Sequence, residues 1–279
     1  MALFITSLNS GSNGNCYYIG SDTDAVLVDA GLSCRETERR MSRLGLSMSL
    51  VRAIFISHEH TDHIKGVPQL SKKYELPVYI TPATLRGSNM SLSAHLVRGF
   101  AADNTVAIGG LVVKAFAKSH DAADPHSFLV SGGNVNVGVF TDIGFSCGQV
   151  TQYFGQCHAA FLEANYCEGM LAKGDYPYHL KRRISSATGH LSNTQALDLF
   201  TRYRSAHLSH LLLAHLSQNN NCPDLVARLF AGPAGRTQVV VASRHQETPV
   251  FRVGDTMMAA QKTKTRPSRV PIQQLSLFQ

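Results

Sequence analysis

Apolar residues in this chain come in short blocks rather than long stretches. β-Branched and aliphatic runs recur at residues 3–8 (LFITSL), 16–20 (CYYIG), 25–30 (AVLVDA), 52–57 (RAIFIS), 77–81 (PVYIT), 112–117 (VVKAFA), 135–141 (VNVGVFT), 159–164 (AAFLEA), 210–215 (HLLLAH) and 238–243 (QVVVAS). Runs of that length predict strands, and the Gly, Asn and Ser clusters between the early ones predict hairpins. Helical patterns stand out at 33–44 (SCRETERRMSRL), 192–203 (SNTQALDLFTRY), where good N-cap candidates open the segment, and 223–230 (PDLVARLF), where Pro takes a first helical position. Strands at both ends with strand–helix alternation between them predict two packed sheets with helices outside. After Gly254 the pattern dissolves into a polar, basic stretch, 255–273, with an apolar cluster at its far end.

Composition narrows the class. The chain has 279 residues, 44% of them hydrophobic, enough for one buried core. No apolar stretch approaches the ~20 residues of a membrane span, and the N-terminus has no basic start followed by a long apolar run. Cys16, Cys34, Cys147, Cys157, Cys167 and Cys222 are scattered without a CxxC pair, which argues against a disulfide framework and a cysteine-rich zinc site. A cytoplasmic protein with reduced thiols is expected. A net charge of +7 favours an acidic partner, nucleic acid being the natural one, although 262–269 (KTKTRPSR) holds several of those charges.

The candidate chemistry sits at 52–63, RAIFISHEHTDH, where a strand runs straight into His58, His60, Asp62 and His63. On a turn leaving a strand, His58 and His60 can address one ion while Asp62 and His63 reach a second. Neutral imidazoles and carboxylates are ligands suited to zinc or manganese.

HxHxDH after an apolar strand resembles the signature of the metallo-β-lactamase superfamily, whose fold is an αββα sandwich of two mixed sheets. The resemblance spans about residues 3 to 245 and implies further site residues in chain order. Asp29, ending AVLVDAG, would brace the metal loop. His120 of KSHDAADPHSFLV would be the third motif, with His126 an alternative nearby. Asp142 of VFTDIG would bridge two metals, and His215 of LLLAHLS would be the last ligand, favoured over His210 because it ends its strand. On that mapping His58, His60 and His120 hold one ion, Asp62, His63 and His215 the other, and Asp142 is shared. Asp62 and Asp142 would also orient the attacking water or take its proton.

Substrate has to come from other segments. LEAN (Glu163) and GHLSN (His190) resemble elements of the phosphodiesterase branch. His190 would there contact the scissile phosphate or protonate the leaving oxygen, and Lys181, Arg182 and Arg183 precede it. Together with SLNSGSNGNCYYI and SHDAADP, this segment resembles the YycJ (WalJ) family, which implies a DNA exonuclease acting from 5′ ends on single- or double-stranded DNA. A glyoxalase-II-like thioesterase or lactonase, or a non-catalytic binding module, is the alternative. Residues 1–254 are expected to be the catalytic domain, 255–273 a flexible basic linker and 274–279 a docking peptide. There Gln274, Leu275, Ser276, Leu277 and Phe278 resemble the peptide that grips the bacterial DNA sliding clamp.

Overall fold

The early hairpins form where their turn residues predict them. In the computed structural model, which describes residues 1–254, β1 (Leu3–Asn9), β2 (Cys16–Gly20) and β3 (Ala25–Val28) pair antiparallel. β4 (Val51–Phe55), β5 (Val78–Tyr79) and β6 (Val97–Arg98) extend that sheet in parallel, and β14 (Phe251–Val253) closes on β1. The second sheet begins as an antiparallel meander of β7 (Thr105–Ile108), β8 (Leu111–Ala117), β9 (His126–Gly132) and β10 (Val135–Phe140). It continues in parallel through β11 (Ala159–Glu163), β12 (His210–Ala214) and β13 (Gln238–Val241). Among the described residues each sheet is thus mixed and seven-stranded.

Helices α1 (Cys34–Arg43), α2 (Thr61–Ile64), α3 (Val67–Tyr74) and α4 (Pro82–Ser88) belong to the first half of the chain. α5 (Gly148–Phe154), α6 (Glu168–Lys173), α7 (Tyr178–Ile184), α8 (Asn193–Tyr203) and α9 (Pro223–Ala231) belong to the second. The N-cap predicted at the start of 192–203 is in place, and the 33–44 helix has one as well. Ser33 accepts from the Glu36 amide at the start of α1, and Ser192 with Gln195 forms a capping box that starts α8.

Side-chain alternation divides the core into three layers. Along β11 and β12, Phe161, Leu212 and Ala214 face the other sheet, where they meet Leu3, Ile5, Tyr17 and Phe55. Their neighbours Ala160, Leu162, Leu211 and Leu213 face outward, under Phe154, Phe200 and Phe230 of α5, α8 and α9. The matching outer layer of the first sheet packs Leu27, Ile54 and Val78 under Met41 and Leu70 of α1 and α3. Strands buried on both faces explain why these runs are continuously apolar. Burial of each large side chain contributes about 1.5–3 kcal/mol. The expected two-sheet sandwich with outer helices is the observed architecture.

The strands β6, β7, β9 and β14 were not among the predicted runs. β6, β7 and β14 are short and lie at sheet edges with partly exposed positions, whereas β9 is a seven-residue interior strand that begins at His126. Among the described residues no helix is long and apolar enough to cross a membrane. The six cysteines are free. The linker 255–273 and the peptide residues Gln274, Leu275, Ser276, Leu277 and Phe278 lie outside the described residues.

Candidate metal centre

The parallel strands of both sheets deliver their carboxyl ends to one rim of the sandwich. Asp29 follows β3, Asp142 lies just past β10, and His215 follows β12; their φ angles are 59°, 54° and 55°. This left-handed turn immediately beyond a strand costs a non-glycine residue ~1–3 kcal/mol. All three occurrences point a ligand-type side chain into the same space.

His58, His60, Asp62 and His63 come from the turn after β4 and from α2. His60 is the N-cap of α2, and its carbonyl accepts from the His63 amide at 2.9 Å. This single turn separates the four residues into two groups. His58, His60 and His120 present nitrogens within 4.8 Å of one another, and Asp62, His63 and His215 form a second such set. Asp142 stands between them. Its Oδ1 lies 3.8 Å from His120 Nε2 and 3.3 Å from His215 Nδ1, and its Oδ2 lies 3.2 Å from His63 Nε2. Every residue expected as a metal ligand is therefore in one cluster.

Hydrogen bonds define which ring edge each histidine offers. His63 Nδ1 donates to Asp29 Oδ2 at 2.7 Å, His120 Nδ1 to the Gly189 carbonyl at 3.0 Å, and His215 Nδ1 to Glu163 Oε1 at 2.9 Å. When each ring is neutral, the lone pair on its Nε2 is turned into the cluster. The Nε2 atoms of His120 and His215 and Oδ2 of Asp142 are buried without a hydrogen bond, a state that costs about 1–3 kcal/mol per group unless something positive satisfies it. His63 Nε2 and His215 Nε2 lie 3.5 and 3.6 Å from Asp62 Oδ2. A tetrahedral zinc with bonds of about 2.0–2.1 Å spaces its ligands about 3.4 Å apart. The donor set fits divalent cations in both number and spacing.

The electrostatics agree. Burial pushes His58 well below the usual imidazole range and His120 down to about 4, so both are neutral near pH 7. Burial also opposes charge on His63, yet Asp142, Asp29 and Asp62 hold it up at about 10. His215 is raised likewise, against its burial, by Asp142, Asp62 and Glu163. The carboxylate-rich half of the cluster thus demands positive charge, and a metal cation can meet that demand in place of protons.

Asp29 does more than touch His63: its Oδ1 accepts from the Ser57 amide and its Oδ2 from the Ser57 hydroxyl, each at 2.8 Å. Glu163, fully buried, accepts from His190 Nδ1 at 2.8 Å and from His215 Nδ1 through one oxygen. Its other oxygen accepts from the Ile143 and Leu191 amides at 2.8 and 3.2 Å. His190 is left with Nε2 free of protein partners among the described residues and a side chain 19% exposed. His126 lies in β9 with its ring against Phe100, and His210 packs on Phe251; neither joins the cluster.

Sequence reasoning missed three contributors. Asn15, in the glycine-rich turn between β1 and β2, places its amide nitrogen 3.1 Å from both Asp62 Oδ2 and His63 Nε2. Asn165 donates to the His215 carbonyl at 2.8 Å. Lys118 is buried behind the cluster and donates to the Thr141 carbonyl at 2.6 Å, next to Asp142. The turn also explains Gly31. A Cβ there would lie 1.7 Å from the Asp62 carbonyl oxygen, so only glycine lets the two loops meet.

Comparison with known proteins follows the same lines. The chain matches the beta-lactamase superfamily domain over residues 24–215. It is 35% identical over 230 residues to Exodeoxyribonuclease YycJ of Bacillus anthracis, covering 81% of this chain and 86% of that protein. It is 30% identical over 226 residues to Exodeoxyribonuclease WalJ of Streptococcus pneumoniae, covering 78% and 83%. Among solved structures, the metallo-β-lactamase fold protein YhfI from Bacillus subtilis superposes with a TM-score of 0.69 at 16% identity, covering 90% of this chain and 100% of that one. The short form of human tRNase Z gives 0.61 at 18% identity, covering 89% and 99%. At those identities the structures speak for the fold alone. The chain belongs to the metallo-β-lactamase superfamily and, within it, to the family of YycJ and WalJ.

Proposed function

We propose that this chain is a two-metal phosphodiesterase, a cytoplasmic DNA exonuclease that works from 5′ to 3′ in replication or repair. The observation that carries the reading is the pairing of two facing ligand groups with the Glu163–His190 contact beside them. Two relatives that this chain matches over most of its length bear the name exodeoxyribonuclease, which favours DNA over thioesters and lactones.

His58, His60, His120 and Asp142 would hold one divalent ion, zinc or manganese, and Asp62, His63, His215 and Asp142 the other. When bound, such a pair supplies a water of lowered pKa and charge neutralisation for the phosphate. Asp62, the outermost carboxylate of the cluster at 22% side-chain exposure, orients the water and takes its proton, with Asp142. His190, its Nδ1–H held by Glu163, turns Nε2 toward the substrate to contact the phosphate and protonate the leaving oxygen. Asp29 fixes the ring plane of His63 and the start of the ligand turn.

Incubating the purified protein with end-labelled single- and double-stranded DNA tests this. Loss of the 5′ label first, abolished by Asp62→Ala with His63→Ala, is the expected result. An intact substrate in either metal, with turnover of a thioester or lactone instead, would overturn it. Gln274, Leu275, Ser276, Leu277 and Phe278 carry the second part of the proposal, attachment to the sliding clamp by filling an apolar pocket on it. Removing the last six residues should abolish capture by the clamp and leave cleavage unchanged; retained capture would refute it.

A further inference from the structure

Between α6 and α7, on the segment leading to His190, lies a trough of about 470 Å³ lined by Tyr166, Glu168, Leu171, Tyr178, Lys181 and Arg182. Its floor is apolar, since Tyr166 and Leu171 are buried. Its rim is not. Tyr178 is 75% exposed, and no residue of α7 is buried, so the packing of the fold gives no reason for an aromatic side chain at this position. The Arg182 guanidinium lies 5.8 Å from the centroid of the Tyr178 ring, a cation–π separation. Arg183 is paired with Asp121, whereas Arg182 has no carboxylate partner among the described residues.

The helix is tied to the candidate metal centre. The His190 amide donates to the Ile184 carbonyl at the end of α7 at 2.9 Å, and the Gly189 carbonyl accepts from His120. Arg183 reaches Asp121, the neighbour of His120. Gly189 makes the tight junction, because a Cβ there would lie 2.2 Å from the Ile184 carbonyl oxygen. The backbone of α7, which carries Tyr178 in its first turn, is therefore anchored at its far end to the segment that holds His190.

An exposed aromatic face flanked by cations beside a phosphodiester site is the chemistry that recognises single-stranded nucleic acid. Unpaired bases stack on the ring while cations meet the backbone. A duplex keeps its base faces stacked inside. We propose that this trough is a nucleobase-binding site for single-stranded DNA: a base near the scissile phosphate stacks on Tyr178, and adjoining phosphates meet Arg182 and Lys181. The inference deepens the nuclease reading and rests on it.

The test is fluorescence anisotropy of labelled oligo(dT), and of a blunt DNA duplex, with the full-length protein in EDTA, where nothing is turned over. Tyr178→Ala should weaken oligo(dT) binding about tenfold, Tyr178→Phe should retain it, and duplex affinity should stay within about twofold. Equal oligo(dT) affinity in wild type and Tyr178→Ala, an equal loss in Tyr178→Phe, or no single-strand binding at all would overturn the proposal. Binding through Tyr178 without DNA cleavage in any metal would leave the base site standing and remove the nuclease reading.

Discussion

Glu163→Gln changes one oxygen to an amide nitrogen in a fully buried side chain and leaves its shape intact. The carboxylate accepts four hydrogen bonds, two from the imidazoles of His190 and His215 and two from the Ile143 and Leu191 amides. A glutamine offers one oxygen and one NH₂ group, so in either orientation the NH₂ confronts two donors. Two bonds are lost and their donors are left buried. Charge-assisted bonds contribute about 1.5–3 kcal/mol each, which puts the destabilisation at about 3–6 kcal/mol. For a domain of this size that is a fall in melting temperature of about 10 °C, to be read by calorimetry on metal-free protein. His215 and His190 also lose their fixed tautomers, and cleavage should drop about 10- to 100-fold. A variant that melts within about 1 °C of wild type and cleaves within twofold of it would refute the role given to Glu163.

Asp29→Asn should weaken metal binding about 10- to 100-fold, measured by competition with a chromophoric chelator, because an amide nitrogen would face either the His63 Nδ1–H and the Ser57 hydroxyl or the Ser57 amide. Gly31→Ala should displace the ligand turn, since the new methyl would strike the Asp62 carbonyl; metal content after dialysis reads the loss. Glu38, bonded to Lys73, Tyr74 and Cys34, is held down at about 2 chiefly by Lys73. A depressed folded-state pKa stabilises above the unfolded value and is lost as pH falls from about 4.5 toward about 2. Glu38→Gln should flatten the pH dependence of urea midpoints in that window, by less than about 1 kcal/mol because the pair is largely exposed to solvent.

Much of the scaffold was legible because strands buried on both faces leave unbroken apolar runs, as at Leu211, Leu212 and Leu213. Short helices left no such trace: α7 buries nothing, so no apolar period marks it. The ligand turn was legible because four candidate ligands fall within six residues of sequence, 58–63. Asn15, Asn165 and Lys118 were not, because each acts on a partner far along the chain, at a separation of 47 residues for Asn15 and Asp62. Neither His120 nor His126 is distinguished by spacing. The fold separates them, since β9 begins at His126 and turns that ring onto Phe100 while His120 stays in the loop at the rim.

The central claim is that one cluster of side chains holds two ions and works only when both are present. Adding manganese or zinc stepwise to metal-free protein, and following DNA cleavage against equivalents added, tests it directly. Activity that stays low through the first equivalent and levels off at two per chain is the predicted result. Full cleavage without metal, or a plateau at one equivalent that a second leaves unchanged, would contradict it.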